Sequence, residues 1–203
     1  MHLLGDWFNP QKVDIRFQTD RFRDHCRQMV IILESKRLLF RQHELADLNS
    51  FCVMEMDPDV RLYVLSYPRS REDAERKFRE GSLQEVPYRL SVWATILKST
   101  GQYVGRCGLY PHVNRDGRFV VGEATLSFYF GREHWGQGLA SEAAAAFVKF
   151  GQEELRLSRI VATVQVENGA SLRILEKLGF ELIATERGPR SFFKFALSKF
   201  GAQ

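Results

Sequence analysis

An α/β fold, with a mixed and mostly antiparallel sheet flanked by helices, is what the sequence predicts, and three observations predict it. Side chains alternate with period two through three successive segments between Tyr88 and Phe130, separated by turns at Ser99-Thr100-Gly101 and at 114–117. A glycine-bearing loop around 134–138 then leads into a segment of helical period that runs to about Leu155. The chain closes on an apolar strand, a short capped helix and two more strands.

Taken in order, Ile31 to Arg41 reads as one β-like run, and His43 to Met56 places Leu45, Leu48, Phe51 and Cys52 on one helical face. Ser70 with Asp73 is an N-cap pattern for a helix through Glu80. Tyr88, Leu90, Val92, Ala94 and Ile96 alternate outward from Pro87, Gln102 to Tyr110 returns, and Phe119 to Phe130 completes an antiparallel meander. Leu139, Ala143, Phe147 and Phe150 mark the buried side of the long helix. Arg159 to Val166 is the next strand, Asn168 caps a helix that stops at Gly179, and strands at 180–187 and 191–198 finish the sheet.

The chain's 203 residues suit a single domain. Apolar residues at 44% and charged residues at 27% argue against long disorder. Residues 1–28 are polar, without a clean period. They are read as an N-terminal extension, either a packing arm or a segment outside the domain, with the single domain at 29–203. A formal charge of +4 with no Lys/Arg stripe gives no reason to expect nucleic acid. No stretch reaches the roughly 18 apolar residues of a membrane span, and Asp6 and Asn9 interrupt any signal-like run. Cys26, Cys52 and Cys107 are odd in number and widely spaced, so no disulfide framework or zinc site follows and a cytoplasmic protein is expected.

The loop His134-Trp135-Gly136-Gln137-Gly138-Leu139-Ala140-Ser141 sits between a strand and a helix. Backbone N–H groups at a helix N-terminus favour an anion, and residues without Cβ let phosphate oxygens come close. No Walker string is present. Gly136-x-Gly138-x-x-Ser141 approaches the dinucleotide fingerprint, but the meander before it and the short remainder after it do not make a doubly wound fold.

The chain resembles the GNAT acetyltransferase superfamily, in particular its ribosomal-protein N-terminal (Rim-type) branch. The residues that carry this are Val121-Gly122-Glu123-Ala124, Trp135 through Ala143, and Asn168-Gly169-Ala170-Ser171 with Leu175-Glu176-Lys177-Leu178-Gly179-Phe180. Lys36 to Arg41 also looks like this branch. The resemblance covers roughly 31–199. It implies a sheet splayed between the strands 119–130 and 159–166. It also implies acetyl-CoA as cosubstrate, a primary amine as acceptor (a protein N-terminus or a small molecule) and no metal; it leaves a homodimer open.

As cofactor contacts the resemblance implies the Phe128-Tyr129-Phe130 backbone, His134, Trp135, Gly136, Gln137, Gly138, Leu139, Ala140, Asn168 and Ser171. Lys177 is preferred over Arg132 and Arg173 for the phosphates. Alternation puts Glu123 with Thr125, Ser127 and Tyr129 on one face, where the strand pattern alone reads as a solvated glutamate; with the resemblance Glu123 is the candidate base. His112, read as a loop residue beside Pro111, is the rival base. Ser171, in the first turn of its helix, matches a Rim-type position, and the resemblance makes it the candidate acid or thiolate partner; the tyrosine common in the superfamily is replaced here by Leu175. Tyr63, Tyr67 and Arg69 fall where this branch has its acceptor loop. The competing readings are a non-catalytic CoA-binding module and a nicotinamide-dependent oxidoreductase.

Overall fold

The computed structural model describes residues 31–64, 67–83, 90–188 and 190–198. The extension 1–28, Met29 and Val30 at the head of the domain, and Pro87 and Tyr88 lie outside the described residues. Among the described residues eight strands form one sheet in the order β1-β2-β3-β4-β5-β6-β8-β7. They are β1 (Ile31–Glu34), β2 (Leu38–Arg41), β3 (Ser91–Leu97), β4 (Gln102–Val113), β5 (Phe119–Phe130), β6 (Arg159–Gln165), β7 (Glu181–Glu186) and β8 (Phe192–Ser198). Every neighbouring pair is antiparallel except β5 with β6.

Three local expectations change. The run 31–41 is a hairpin rather than one strand, because Ser35 turns the chain: its N–H donates to the Leu38 carbonyl at 2.8 Å. Strand β4 continues past Tyr110 to Val113, which takes His112 out of any loop. Pro111 is tolerated there because the β3 ladder ends at Leu109, so the missing N–H costs no described ladder bond on that side. Leu45 is exposed because a 3-10 turn, Leu45–Asp47, precedes α1 (Leu48–Met56) and breaks the 3.6-residue period.

The remaining helices are α2 (Pro58–Arg61), α3 (Arg71–Lys77), α4 (Leu139–Glu153) and α5 (Gly169–Lys177). Ser70 caps α3 as its pattern predicts, accepting from the Asp73 N–H at 3.1 Å; beyond Lys77 the helix widens into a π turn, Phe78–Ser82. Strand alternation sorts the core onto two faces. Trp93, Cys107, Leu126 and Phe130 pack with Phe147 of α4 and Leu175 of α5. Ala94, Ile96 and Tyr103 face the other way, against Phe51, Cys52 and Phe78. Phe147 is fully buried and meets the Phe40 ring edge-on at 4.9 Å, a burial that contributes about 1.5–3 kcal/mol. That anchoring fixes α4, and with it the loop at its N-terminus, against β4 and β5.

Candidate active site

The parallel ladder between β5 and β6 is three residues long: Glu123, Ala124 and Thr125 face Arg159, Ile160 and Val161. Beyond it the strands part. Each arm is braced by its outer neighbour, β5 by β4 as far as Phe130 and β6 by β8 as far as Gln165. The sheet therefore opens into a wedge, and the β6-facing backbone groups of Leu126–Phe130 have no strand partner among the described residues. Phe130 is buried and Phe128 packs against the same core, so these residues offer backbone rather than rings.

The glycine loop closes the wide end of β5. The indole N–H of Trp135 donates to the Phe130 carbonyl at 2.8 Å, and the Gln137 amide donates to the Glu133 carbonyl at 3.0 Å. The N–H groups of His134 and Trp135 are used within their turn, bonding to Gly131 and Arg132, and the His134 ring is buried. From Gly136 through Ala140 no backbone N–H has an acceptor among the described residues. Gly136 and Gly138 hold φ of 73° and 74°, a left-handed backbone that L side chains seldom adopt. Free donors at the start of a fifteen-residue helix are an arrangement suited to accommodating an anion. Within the stretch 134–140 the run of free N–H groups begins after Trp135.

At the other arm Asn168 caps α5, its Oδ1 accepting from the Ser171 N–H at 3.1 Å. Ser171 is part-buried in the first turn. Lys177 lies at the far end of the helix, about 12 Å along its axis at 1.5 Å per residue, so the structure does not bring it to this cap. Arg173 is the cation that returns to the cap, with Nη1 3.4 Å from where a Cβ on Gly169 would stand. Arg132 is occupied by an ion pair with Asp59. Leu175 is fully buried in the core and offers no acid.

Glu123 sits at the apex of the wedge. Its carboxylate meets Arg159 Nη1 at 3.3 Å and faces His112 Nε2 at 4.0 Å; the His112 Nδ1 lies 3.0 Å from Thr125 Oγ1. The two candidate bases are thus neighbours on adjacent strands. Burial, then the Lys194 ammonium, lowers the pKa of His112 below its ordinary value, with Glu123 opposing and Arg159 assisting. The imidazole is therefore neutral near pH 7. On the same face Tyr129 lies under the Arg106 guanidinium, 4.7 Å from ring centre. Arg106, Arg61 and Arg69 converge on the buried Glu55 carboxylate. Tyr63 and Tyr67 are exposed, whereas Arg69 is committed to Glu55.

Two of these groupings escaped the sequence. Arg159 acquires meaning only from the parallel register with Glu123. Glu55 and Arg106 are 51 residues apart and no local period joins them.

Residues 37–181 match the family model described as an acetyltransferase (GNAT) domain. The chain belongs to the GNAT acetyltransferases. It is 33% identical over 153 residues to an uncharacterized N-acetyltransferase p20 of Bacillus licheniformis, covering 73% of this chain and 82% of that one. It is 31% identical over 154 residues to the uncharacterized N-acetyltransferase YoaA of Bacillus subtilis, covering 75% and 84%. A GNAT-family acetyltransferase from Bacillus anthracis superposes with a TM-score of 0.70 at 24% identity, over 81% of this chain and 96% of that one. A spermidine N-acetyltransferase from Vibrio cholerae, in complex with CoA and spermine, superposes at 0.65 with 16% identity, over 80% and 95%. As a GNAT protein the chain is an acetyl-CoA-dependent acyltransferase that moves acetyl to an amine. The doubly wound dinucleotide fold is excluded by the sheet order.

Proposed function

We propose that this acetyltransferase acetylates an α-amine-like acceptor, a protein N-terminus or a small primary amine, by direct attack within the β5–β6 wedge. The observation that carries the reading is the coincidence of that wedge with the free N–H groups of 136–140 at one mouth and the Asn168-capped helix at the other. The residues fit acetyl-CoA. The loop N–H groups donate to its pyrophosphate, and Arg173 rather than Lys177 supplies a cation at the α5 cap. The unpaired backbone of Leu126–Phe130 pairs with the amides of its pantetheine arm.

Glu123 takes a proton from the acceptor amine, through water, as the nitrogen attacks the thioester carbonyl. Backbone N–H on the open β5 edge holds the oxyanion. The carbon–sulfur bond then breaks, Ser171 Oγ–H donates a hydrogen bond to the departing thiolate, and the proton taken from the amine passes through water to the sulfur. No acetyl-enzyme is needed: Cys107 is fully buried and burial pushes its thiol well up, so it carries no thiolate. The Rim-type resemblance favours a protein N-terminal amine, whose pKa of about 8 leaves a neutral fraction at pH 7. A cytoplasmic setting goes with this reading, and no helix among the described residues is long and apolar enough to cross a membrane.

Two measurements test it. Gly138→Val forces a β-branched side chain into a left-handed backbone, which costs about 1–2 kcal/mol, and crowds the anion. CoA affinity, read by calorimetry, should fall at least about tenfold; an unchanged Kd removes the pyrophosphate from this loop. Thiol release from acetyl-CoA with a panel of peptides, polyamines and other small amines should show turnover, strongest with α-amines. Binding of CoA without turnover on any amine would favour the non-catalytic CoA-binding module instead.

A further inference from the structure

The hairpin turn joining β1 to β2 is 100 residues from the glycine loop in sequence, yet it is bonded directly to it. Arg37 Nη1 donates to the Gln137 carbonyl at 2.9 Å, and Nε donates to Glu142 Oε2 at 2.7 Å. The other oxygen of Glu142 accepts from the Arg37 backbone N–H at 2.7 Å and from Ser35 Oγ at 2.7 Å. The remaining guanidinium nitrogen, Nη2, lies 3.6 Å from where a Cβ on Gly138 would stand.

We propose that Arg37 is a positioning residue for the pyrophosphate: it sets the peptide plane between Gln137 and Gly138 so that the Gly138 N–H points at the anion. This rests on the reading of the loop given above. A trans peptide holds its C=O and N–H in opposite directions, so fixing one fixes the other. Glycine at 138 tolerates either orientation of that plane, and a bond to the Gln137 oxygen from outside the loop removes the alternative. Glu142 is the second half of the device. It stands in the first turn of α4, where an acidic side chain suits the helix dipole but would repel a bound phosphate. Arg37 pairs with that charge, so helix and anion are both served. Burial pushes the Glu142 carboxyl up, but bonds from the Arg37 backbone, Ser35 and the Arg37 side chain outweigh it, and the group is held ionised.

The test is steady-state kinetics and CoA calorimetry on the full chain. Arg37→Ala should raise the KM for acetyl-CoA and the Kd for CoA about tenfold or more. Its kcat at saturating donor and its KM for the acceptor should stay within about twofold of wild type. Arg37→Lys keeps the charge but cannot reach the Gln137 oxygen and Glu142 together, so it should lie between the two. Glu142→Gln should weaken CoA by less than Arg37→Ala. The double variant should lose less than the product of the single losses, because the two groups share one interaction. Should Arg37→Ala fail to fold, Arg37→Lys and Glu142→Gln carry the same comparison. Wild-type CoA affinity in folded Arg37 variants overturns the proposal, as does a loss spread equally over kcat and acceptor KM. A wild-type chain that does not bind CoA defeats the earlier reading of the loop instead.

Discussion

Replacing Glu123 by Gln is expected to lower kcat by about 10²- to 10⁴-fold, the usual contribution of one acid–base group, while leaving acetyl-CoA affinity near wild type. The amide keeps the size of the carboxylate but cannot take a proton from the attacking amine. Affinity survives because Glu123 lies at the closed apex of the wedge, within the ladder it forms with Arg159, and the loop at 136–140 lies past the far end of β5. Folding should also survive, since the lost ion pair with Arg159 is partly solvated at the arginine end. The defect should shrink as pH rises, because more of the acceptor is then already neutral, and it should be smaller for an α-amine near pKa 8 than for a lysine-like amine near about 10.4. His112 supplies the alternative. It is 4.0 Å away and neutral, so it could itself take a proton. A pH–rate profile of wild type, Glu123→Gln and His112→Gln with the best acceptor separates them. Wild-type rates and an unchanged profile for Glu123→Gln would assign the proton to His112 or to water.

What could be read from the sequence depended on the range of the signal. Strand β5 was legible to the residue, and so were the Ser70 and Asn168 caps and the left-handed glycine at 179, because each is written within a few residues. The glycine loop was legible as a strand-to-helix turn for the same reason. Contacts made by register were not. Glu123 could be chosen as a base, but nothing local says that β6 runs parallel beside it and delivers Arg159, or that β4 runs on through Pro111 and delivers His112. Lys177 was preferred for phosphate over Arg132 and Arg173; the structure places Lys177 in the last turn of α5 and Arg173 beside its N-terminus, a difference that only the folded helix displays. The Arg37–Glu142 clamp depends on a hairpin turn that the run 31–41, read as one strand, had concealed.

The largest stability effect should come from Glu55, a residue no motif singles out. Its side chain is 1% exposed and accepts from Arg69 Nε at 2.8 Å, with Arg61 at 3.1 Å and a close contact to Arg106. Arg106 in turn lies over the rings of Phe51 and Tyr129, so the cluster ties α1 to β4 and to the open arm of β5. Burial pushes the Glu55 carboxyl up, but Arg106, Arg61, Lys77 and the Arg69 hydrogen bond together pull it below its usual value. The same crowding of cations shows at Lys77, whose ammonium is lowered to about 8 by burial and then by Arg106. Glu55→Gln keeps the shape but leaves these cations facing one another without a counter-charge. Removing one member of a buried ion pair costs about 3–5 kcal/mol, so the midpoint of a urea melt should drop markedly with little change in slope. For a domain of this size Tm should fall by roughly 6–20 °C. Glu75→Gln is the control, since it breaks only the exposed Arg71–Glu75 pair and should cost under about 0.5 kcal/mol. The pH dependence gives the sign. A carboxyl with a lowered folded pKa contributes stability above its unfolded pKa, and that contribution is lost as pH falls through the folded value. The gap between wild type and Glu55→Gln should therefore be full at pH 7 and narrow in acid, below the ordinary carboxylate range. A gap under about 1 kcal/mol at pH 7, or one that stays constant into acid, would show that the arginines are solvated well enough without Glu55, and that packing around Phe51 holds α1 to the sheet.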